Sequence, residues 1–202
     1  MSTLKYYMIT QSNVEKIKQQ WKASSDDIIK LDITFIGVNV YTTGLIVNMR
    51  NLEEIRIGSI ARAESLESFI INCPKLKSVF IDNMLCNRMS SVVWYCKELE
   101  RITINNLPYL THLGFNEFGM IRDCGNIKSI ELGNLPNLKL MRNEFRGCVN
   151  LNTLKLINVP KTASMSVSPD FPQNVRIIFD KKGIIVYDSW PYNEANYYGQ
   201  PQ

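Results

Sequence analysis

The sequence is poor in the residues and motifs on which recognisable enzyme sites are built. It contains one histidine, His112, and no Gly-rich phosphate loop, His-Glu-x-x-His motif or calcium-loop pattern. No Ser, Cys or Asp can be placed beside His112 by the repeat described below, which disfavours a histidine-based triad. The acidic pairs Asp26-Asp27 and Glu53-Glu54 project to different sides rather than converge. We therefore predict a protein that is not an enzyme and that needs neither a cofactor nor a metal.

Long runs of one charge or of apolar residues are also missing. The 23 lysines and arginines and the 19 aspartates and glutamates are interspersed, with a net charge of +4, so a nucleic-acid partner is not implied. No stretch approaches the ~18 apolar residues of a membrane-spanning helix. The first 12 residues lack the long apolar region of a secretory signal. With an odd number of cysteines, five, these features favour a soluble protein of the cytoplasm.

An apolar pattern recurs through most of the chain. In six segments an apolar residue is followed by others three and five positions later, and the segments start 24, 24, 23, 28 and 24 residues apart. The starting residues are Ile28, Leu52, Leu76, Leu99, Ile127 and Leu151. The second and third apolar residues of each segment are separated by a single residue, and such alternation is typical of a short strand with one buried face. The period predicts an α/β solenoid of about six repeats of 23–28 residues, with one parallel β-sheet of short strands.

Four of the five cysteines keep register with this repeat. Cys73, Cys96, Cys124 and Cys148 each stand three residues before the first apolar position of a repeat. Single cysteines one repeat apart lack the close pairs of zinc sites, and disulfides would have to bridge neighbouring repeats one by one. Free cysteine is among the most often buried residue types, so a packed column of reduced thiols is favoured. Cys86 lies outside the register.

Two more motifs follow the strands of the later repeats. Asn-Leu-Pro-x-Leu occurs at residues 106–110 and 134–138, and Asn-Glu-Phe at residues 116–118 and 143–145. Because proline cannot donate to a sheet ladder, Leu-Pro marks the point where the chain leaves the strand. The sequence here resembles the leucine-rich repeats and, within them, the BspA-like subclass, in which such a turn precedes Phe-x-x-Cys-x-x-Leu. Residues 145–151 match that segment, and the resemblance covers about residues 28 to 180.

The resemblance implies a stack of repeats whose concave, strand-lined face serves recognition. Proteins of very diverse roles share this architecture, so the ligand does not follow from it. The ends of such a stack must be capped against water. We expect an N-terminal cap at residues 1–27 with an amphipathic helix that buries Val14, Ile17 and Trp21, repeats at 28–172, and a C-terminal strand and aromatic tail at 173–202.

The position between the two inward strand residues of each repeat is expected to face outward. This column holds Asp32, Arg56, Phe80, Thr103, Glu131 and Lys155, and the column beside it holds Lys30, Glu54, Ser78, Arg101, Ser129 and Thr153. Three pairs of opposite charges stand on neighbouring strands: Lys30 with Glu54, Asp32 with Arg56, and Glu131 with Lys155. We expect these side chains to form ion pairs with each other on the sheet surface. In the middle, Phe80, Arg101 and Thr103 form the mixture that is enriched in binding hot spots.

Three functions are compatible with these observations. We expect a protein-binding or scaffolding module that recognises a partner through the concave sheet face, with Phe80, Arg101, Thr103, Arg56 and Glu131 as candidate contacts. The second is a structural or assembly subunit held through its caps and its tail, where Trp190 and Tyr192 are the candidate docking residues, although a packed tail is favoured. The third is a surface adhesin-like protein, which the resemblance suggests for some relatives.

Overall fold

The computed structural model describes residues 2–37, 43–114, 119–142, 145–160, 163–166, 175–181 and 184–189. These residues form one helix, α1 (Val14–Ala23), and sixteen strands. The strands are β1 (Ser2–Ile9), β2 (Ile28–Ile36), β3 (Ile46–Val47), β4 (Glu54–Glu67), β5 (Ile70–Ile71), β6 (Ser78–Ser90), β7 (Val93–Trp94), β8 (Arg101–Asn106), β9 (His112–Leu113), β10 (Ile121–Arg122), β11 (Ser129–Leu132), β12 (Leu140–Arg142), β13 (Thr153–Ile157), β14 (Ser164–Ser166), β15 (Arg176–Lys181) and β16 (Ile184–Ser189).

The six repeats predicted from the sequence stack as parallel neighbours in one main sheet. Its central order is β1-β2-β4-β6-β8-β11-β13-β15-β16, and every pairing from β1 to β15 is parallel. Equivalent positions of the repeats are direct register partners, as in the column Leu31, Ile55, Val79, Ile102, Ile130 and Leu154. The chain is therefore a parallel β-solenoid of about six turns.

The stretches that return from one main-sheet strand to the next also contain strands. β3, β5, β7 and β10 form a second, four-stranded parallel sheet, so the prediction of one sheet was incomplete. β9, β12 and β14 form a third row of parallel pairs that starts from the C-terminal part of β6. In the described part of the chain the helical component is limited to α1, because β-branched pairs such as Ile70-Ile71 favour strands on the return path.

Stacked apolar columns fill the inside of the solenoid. Every residue of the column that contains Leu154 is at most 2% exposed, and so is every first position of the six repeats. Phe69 and Phe145 are fully buried on the return path, whereas Phe118 lies outside the described residues. Backbone hydrogen bonds link each repeat to the preceding one. The N–H groups of Glu53, Lys77 and Glu100 donate to the carbonyl oxygens of Ile29, Glu53 and Lys77, respectively.

A residue with a left-handed backbone conformation directly precedes each cysteine of the buried column and also Met49, which occupies the same position in an earlier repeat. Asn48, Asn72, Tyr95, Asp123 and Gly147 have φ between 52° and 70° and stand directly before Met49, Cys73, Cys96, Cys124 and Cys148. Each of these four thiols lies near the carbonyl oxygen two residues before it, at Sγ···O distances of 3.4 to 3.8 Å. The turn thus directs the side chain that follows into the core. Asn, Asp and Gly tolerate this conformation readily.

Both ends of the stack carry additional elements. β1 is a parallel neighbour of β2, a strand that the sequence did not predict within residues 1–27. Helix α1 follows and buries Val14, Ile17 and Trp21, as predicted. At the other end β15 continues the parallel order and β16 pairs with it antiparallel, while residues 190–202 lie outside the described residues. The boundaries after residues 27 and 172 stay a prediction.

Truncating one inward residue should destabilise the stack strongly. Leu154 is fully buried between Ile130 and the strand that follows, so Leu154→Ala should lower the free energy of unfolding by about 2–5 kcal/mol through lost burial and a cavity. Thr153→Ala, at the adjacent outward position, should change it little. Urea denaturation of both variants measures the difference, and equal losses would show that the strand faces are assigned wrongly.

The five cysteines should react slowly in the native protein. All are buried and free, and burial raises the pKa of the Cys86 thiol to about 12 and the pKa of Cys148 well above its usual range. Alkylation needs an accessible thiolate, so native protein should take up iodoacetamide far more slowly than denatured protein. Mass spectrometry counts the modified sites. Fast native labelling of several cysteines would contradict the buried column.

Candidate protein-binding surface

The outward column exists in the register that the sequence predicts. Asp32, Arg56, Phe80, Thr103 and Glu131 are successive partners across neighbouring strands, and Lys155 follows Glu131. The column beside it, which contains Glu54, Ser78 and Arg101, is aligned in the same way. Side chains separated by more than 20 residues in sequence therefore stand about 4.8 Å apart in the sheet.

A shallow depression of about 360 Å³ lies in the middle of this face. Four candidate residues line it together, namely Arg56, Phe80, Arg101 and Thr103. Glu131 does not line it, although it is the register neighbour of Thr103. Three lining residues, Glu54, Ser78 and Val79, were not among the candidates. The positions of Glu54 and Ser78 in the second outward column could have identified them, whereas Val79 belongs to the inward column.

Phe80 provides the apolar surface of the depression. It is 37% exposed, whereas its strand neighbours Val79 and Ile81 are 2% and 1% exposed. Strand alternation explains the contrast: Val79 and Ile81 face the core, so Phe80 must face outward. An aromatic ring held on a regular sheet has few conformations to lose on binding, which favours its use as an anchor.

The charges around the depression are unevenly paired. Glu54 accepts hydrogen bonds from Arg56 Nε and from Lys30 Nζ, the latter at 3.1 Å, and these contacts lower the pKa of Glu54, with Arg56 the larger cause. Arg101 is exposed, and its guanidinium forms no hydrogen bond or ion pair with the described residues, although its backbone N–H donates to Lys77. The depression therefore presents a paired cation at one side of Phe80 and an unpaired cation at the other.

Of the three charge pairs predicted along the columns, two form ion pairs and one does not. Lys30 binds Glu54, and Lys155 Nζ lies 3.2 Å from Glu131 Oε1, so these two ion pairs form. Asp32 and Arg56 are register partners, but the Arg56 guanidinium binds Glu54, two residues earlier in its own strand. Arg56 reaches this carboxylate because residues two apart on a strand share one face.

The remaining candidates lie elsewhere or outside the described residues. Trp190 and Tyr192 are among the residues whose placement is not described, so the docking role of the tail stays a prediction. His112 is half-buried in β9, with Nδ1 2.9 Å from the hydroxyl of Thr111. No group of three His, Cys, Asp or Glu side chains within the described ranges is arranged to hold a metal ion. Nor does the described chain contain a helix long and apolar enough to cross a membrane.

The fold and this surface define the chain as a β-solenoid with an exposed aromatic and cationic depression on its main sheet. The chain matches no model of a known protein family, and no curated protein or solved structure shows significant similarity to it.

Removing Arg56 should raise the pKa of Glu54. The hydrogen bond from Arg56 is the largest cause of its lowering, so Arg56→Met should move the pKa back toward its usual value. Because the folded-state pKa is the lower one, the stabilisation from these contacts is lost as pH falls through it. Carbon NMR titration of the Glu54 carboxyl measures the shift, and Lys155→Met serves as the control. An unchanged pKa in Arg56→Met would contradict the pairing.

Proposed function

We propose that this protein is a non-enzymatic recognition module that binds a partner protein through the outward face of its main sheet. The observation that carries the proposal is the depression in which Phe80, 37% exposed, lies beside the unpaired cation Arg101 and the half-buried Thr103. Binding hot spots are rich in aromatic and arginine side chains surrounded by residues that exclude water. Glu54 and Arg56 form a polar rim on one side.

The charges around the depression also indicate what kind of partner surface would fit it. Arg56 already binds Glu54, whereas Arg101 forms no ion pair among the described residues, since its sequence neighbour Glu100 binds Lys128. We infer that the partner supplies an acidic group to Arg101 and an apolar side chain to Phe80. Charge complementarity of this kind steers association and fixes the register of an interface.

We also propose that the solenoid is a leucine-rich repeat of the BspA-like type. Support comes from residues 145–151, whose Phe145 and Cys148 are both buried, and from the Leu-Pro turns, whose Leu107 and Leu135 are fully buried. Five buried, free cysteines favour a reducing compartment, and we propose the cytoplasm as the site of action. The surface adhesin-like role would require a different location and has no separate support in the described residues.

Assembly through the ends is the second candidate function, and one observation favours it. β1 is the first strand of the main sheet, and among the described residues it pairs only with β2. Met8 on this strand is 52% exposed. The outer edge of this strand, where the Met8 carbonyl accepts from Asn13 Nδ2, offers its other outward backbone groups to another strand. In this case self-association, rather than binding to the middle of the sheet, would be the main activity.

Truncating the depression should weaken partner binding strongly without unfolding the protein. Phe80→Ala combined with Arg101→Ala removes two outward side chains, each expected to contribute more than ~1 kcal/mol at an anchor, so affinity should fall by more than about tenfold. A quantitative pull-down, followed by calorimetry with the captured partner, measures the loss. Circular dichroism should show the same fold as the unmodified protein.

A matched control places the same kinds of change at the two ends of the main sheet. Met8→Ala combined with Arg176→Ala also removes one exposed apolar side chain and one exposed arginine, but far from the depression. This variant should keep its partner. If the control variant loses the partner and the Phe80, Arg101 variant retains it, the ends of the solenoid are the interface and the proposal is wrong. If only deletion of residues 190–202 abolishes binding, the tail is the interface.

A further inference from the structure

A row of equivalent residues crosses the main sheet from the depression to the last strand. Arg101, at the start of β8, is the register partner of Ser129 on β11. The row continues through Thr153 on β13 and Arg176 on β15. Arg176 is in turn the partner of Ser189, the last residue of β16. The end of β16 therefore lies in line with the unpaired cation of the depression.

This row forms a shallow track between two ion pairs. Its floor on β11 and β13 consists of a serine and a threonine, both small and half-buried. On one side of the track Lys155 Nζ lies 3.2 Å from Glu131 Oε1, and on the other Lys128 Nζ lies 3.0 Å from Glu100 Oε1. Both pairs match their charges internally. The arginine at the depression end of the track is thus the charge that is left to bind an acidic group there.

The segment that follows β16 has a composition that complements the track and the depression. Residues 190–202, which lie outside the described residues, contain a single charged side chain, the carboxylate of Glu194. They also contain four aromatic side chains, Trp190, Tyr192, Tyr197 and Tyr198. A carboxylate and an aromatic ring are the two groups that Arg101 and Phe80 would bind.

The reach of this segment matches the distance to the depression. Arg101 stands four strand spacings from Ser189, which is about 19 Å. Glu194 is the fifth residue after Ser189, and five extended residues span up to about 18 Å, before the lengths of the two side chains are added. Pro191 favours such an extended path, because proline cannot donate to the ladder and restricts the residue before it to extended conformations.

We propose that residues 190–202 bind across the outward face of the main sheet, with Glu194 against Arg101 and Tyr197 over Phe80. Tyr197 is the eighth residue after β16, and eight extended residues span about 26 Å, whereas Phe80 stands five strand spacings away, about 24 Å. The inward face is not available, because the apolar core fills it. The segment covers the depression until a partner displaces it, so this inference rests on the recognition function proposed above.

Exchange of the two charges tests the contact in the full chain. Chymotrypsin can cleave after Tyr197 or Tyr198 only when the segment has left the sheet, so the rate of cleavage measures the released fraction. Arg101→Glu and Glu194→Arg each place like charges together and should raise this rate by about fivefold or more. The protein that carries both changes should be cleaved nearly as slowly as the unmodified one. Synthetic peptides of residues 190–202, with and without Glu194→Arg, correct for any effect on the protease itself.

The proposal fails if neither single change raises the rate, or if the double exchange does not restore it. Arg176 provides the matched control, since it is an exposed arginine of the same row and lies nearer to Ser189. Arg176→Glu combined with Glu194→Arg should stay rapidly cleaved, and recovery of the slow rate in this protein would place Glu194 on Arg176 instead.

The rate should also be independent of protein concentration, because a tethered segment binds within its own chain. Slower cleavage at higher concentration would show that the segment binds another copy, which overturns the proposal. No partner protein is present in this experiment. Its failure would therefore leave the recognition function to the pull-down with the Phe80, Arg101 variant, and the two outcomes remain distinct.

Discussion

Stacking of equivalent residues on successive coils is the interaction on which the rest of this structure depends. The inward strand positions of one repeat lie on the equivalent positions of the next, so the apolar columns and the backbone hydrogen bonds form together. In such an array stability is approximately a sum of contributions from single coils and from contacts between neighbours. The same stacking aligns the outward side chains, which is how Phe80, Arg101 and Thr103 come to lie side by side although no two of the three are adjacent in sequence.

The sequence allowed much of this arrangement to be predicted, because a repeat that is regular in sequence must be regular in register. Once Leu76-Val79-Ile81 and Leu99-Ile102-Ile104 are recognised as equivalent, the pairing of Phe80 with Thr103 follows, and the outward face follows from strand alternation. The buried column of Cys73, Cys96, Cys124 and Cys148 was predictable for the same reason. Each of these inferences uses only spacing.

Other features depend on contacts that spacing does not encode. Two-residue strands such as Ile70-Ile71 are too short to show alternation, so the second sheet could not be predicted from periodicity. β1 has no copy of the repeat, and only its pairing with β2 identifies it. Asn48, Asn72, Asp123 and Gly147 before the column did offer a turn signal, but Tyr95 occupies the equivalent position without one. Arg56 pairs with Glu54 rather than with Asp32 because of side-chain geometry, which residue spacing does not specify.

The depression at Phe80 follows directly from this stacking, because it lies where successive strands of the main sheet are in register. The measurement that tests this account most directly is NMR of the protein with labelled Ile, Leu and Val methyl groups. The account predicts nuclear Overhauser contacts that link Ile55 to Val79, Val79 to Ile102 and Ile102 to Ile130, with the Phe80 ring close to Arg101 and Thr103 and far from these methyl groups. Contacts between other members of the repeats, or a Phe80 ring among the core methyl groups, would contradict it.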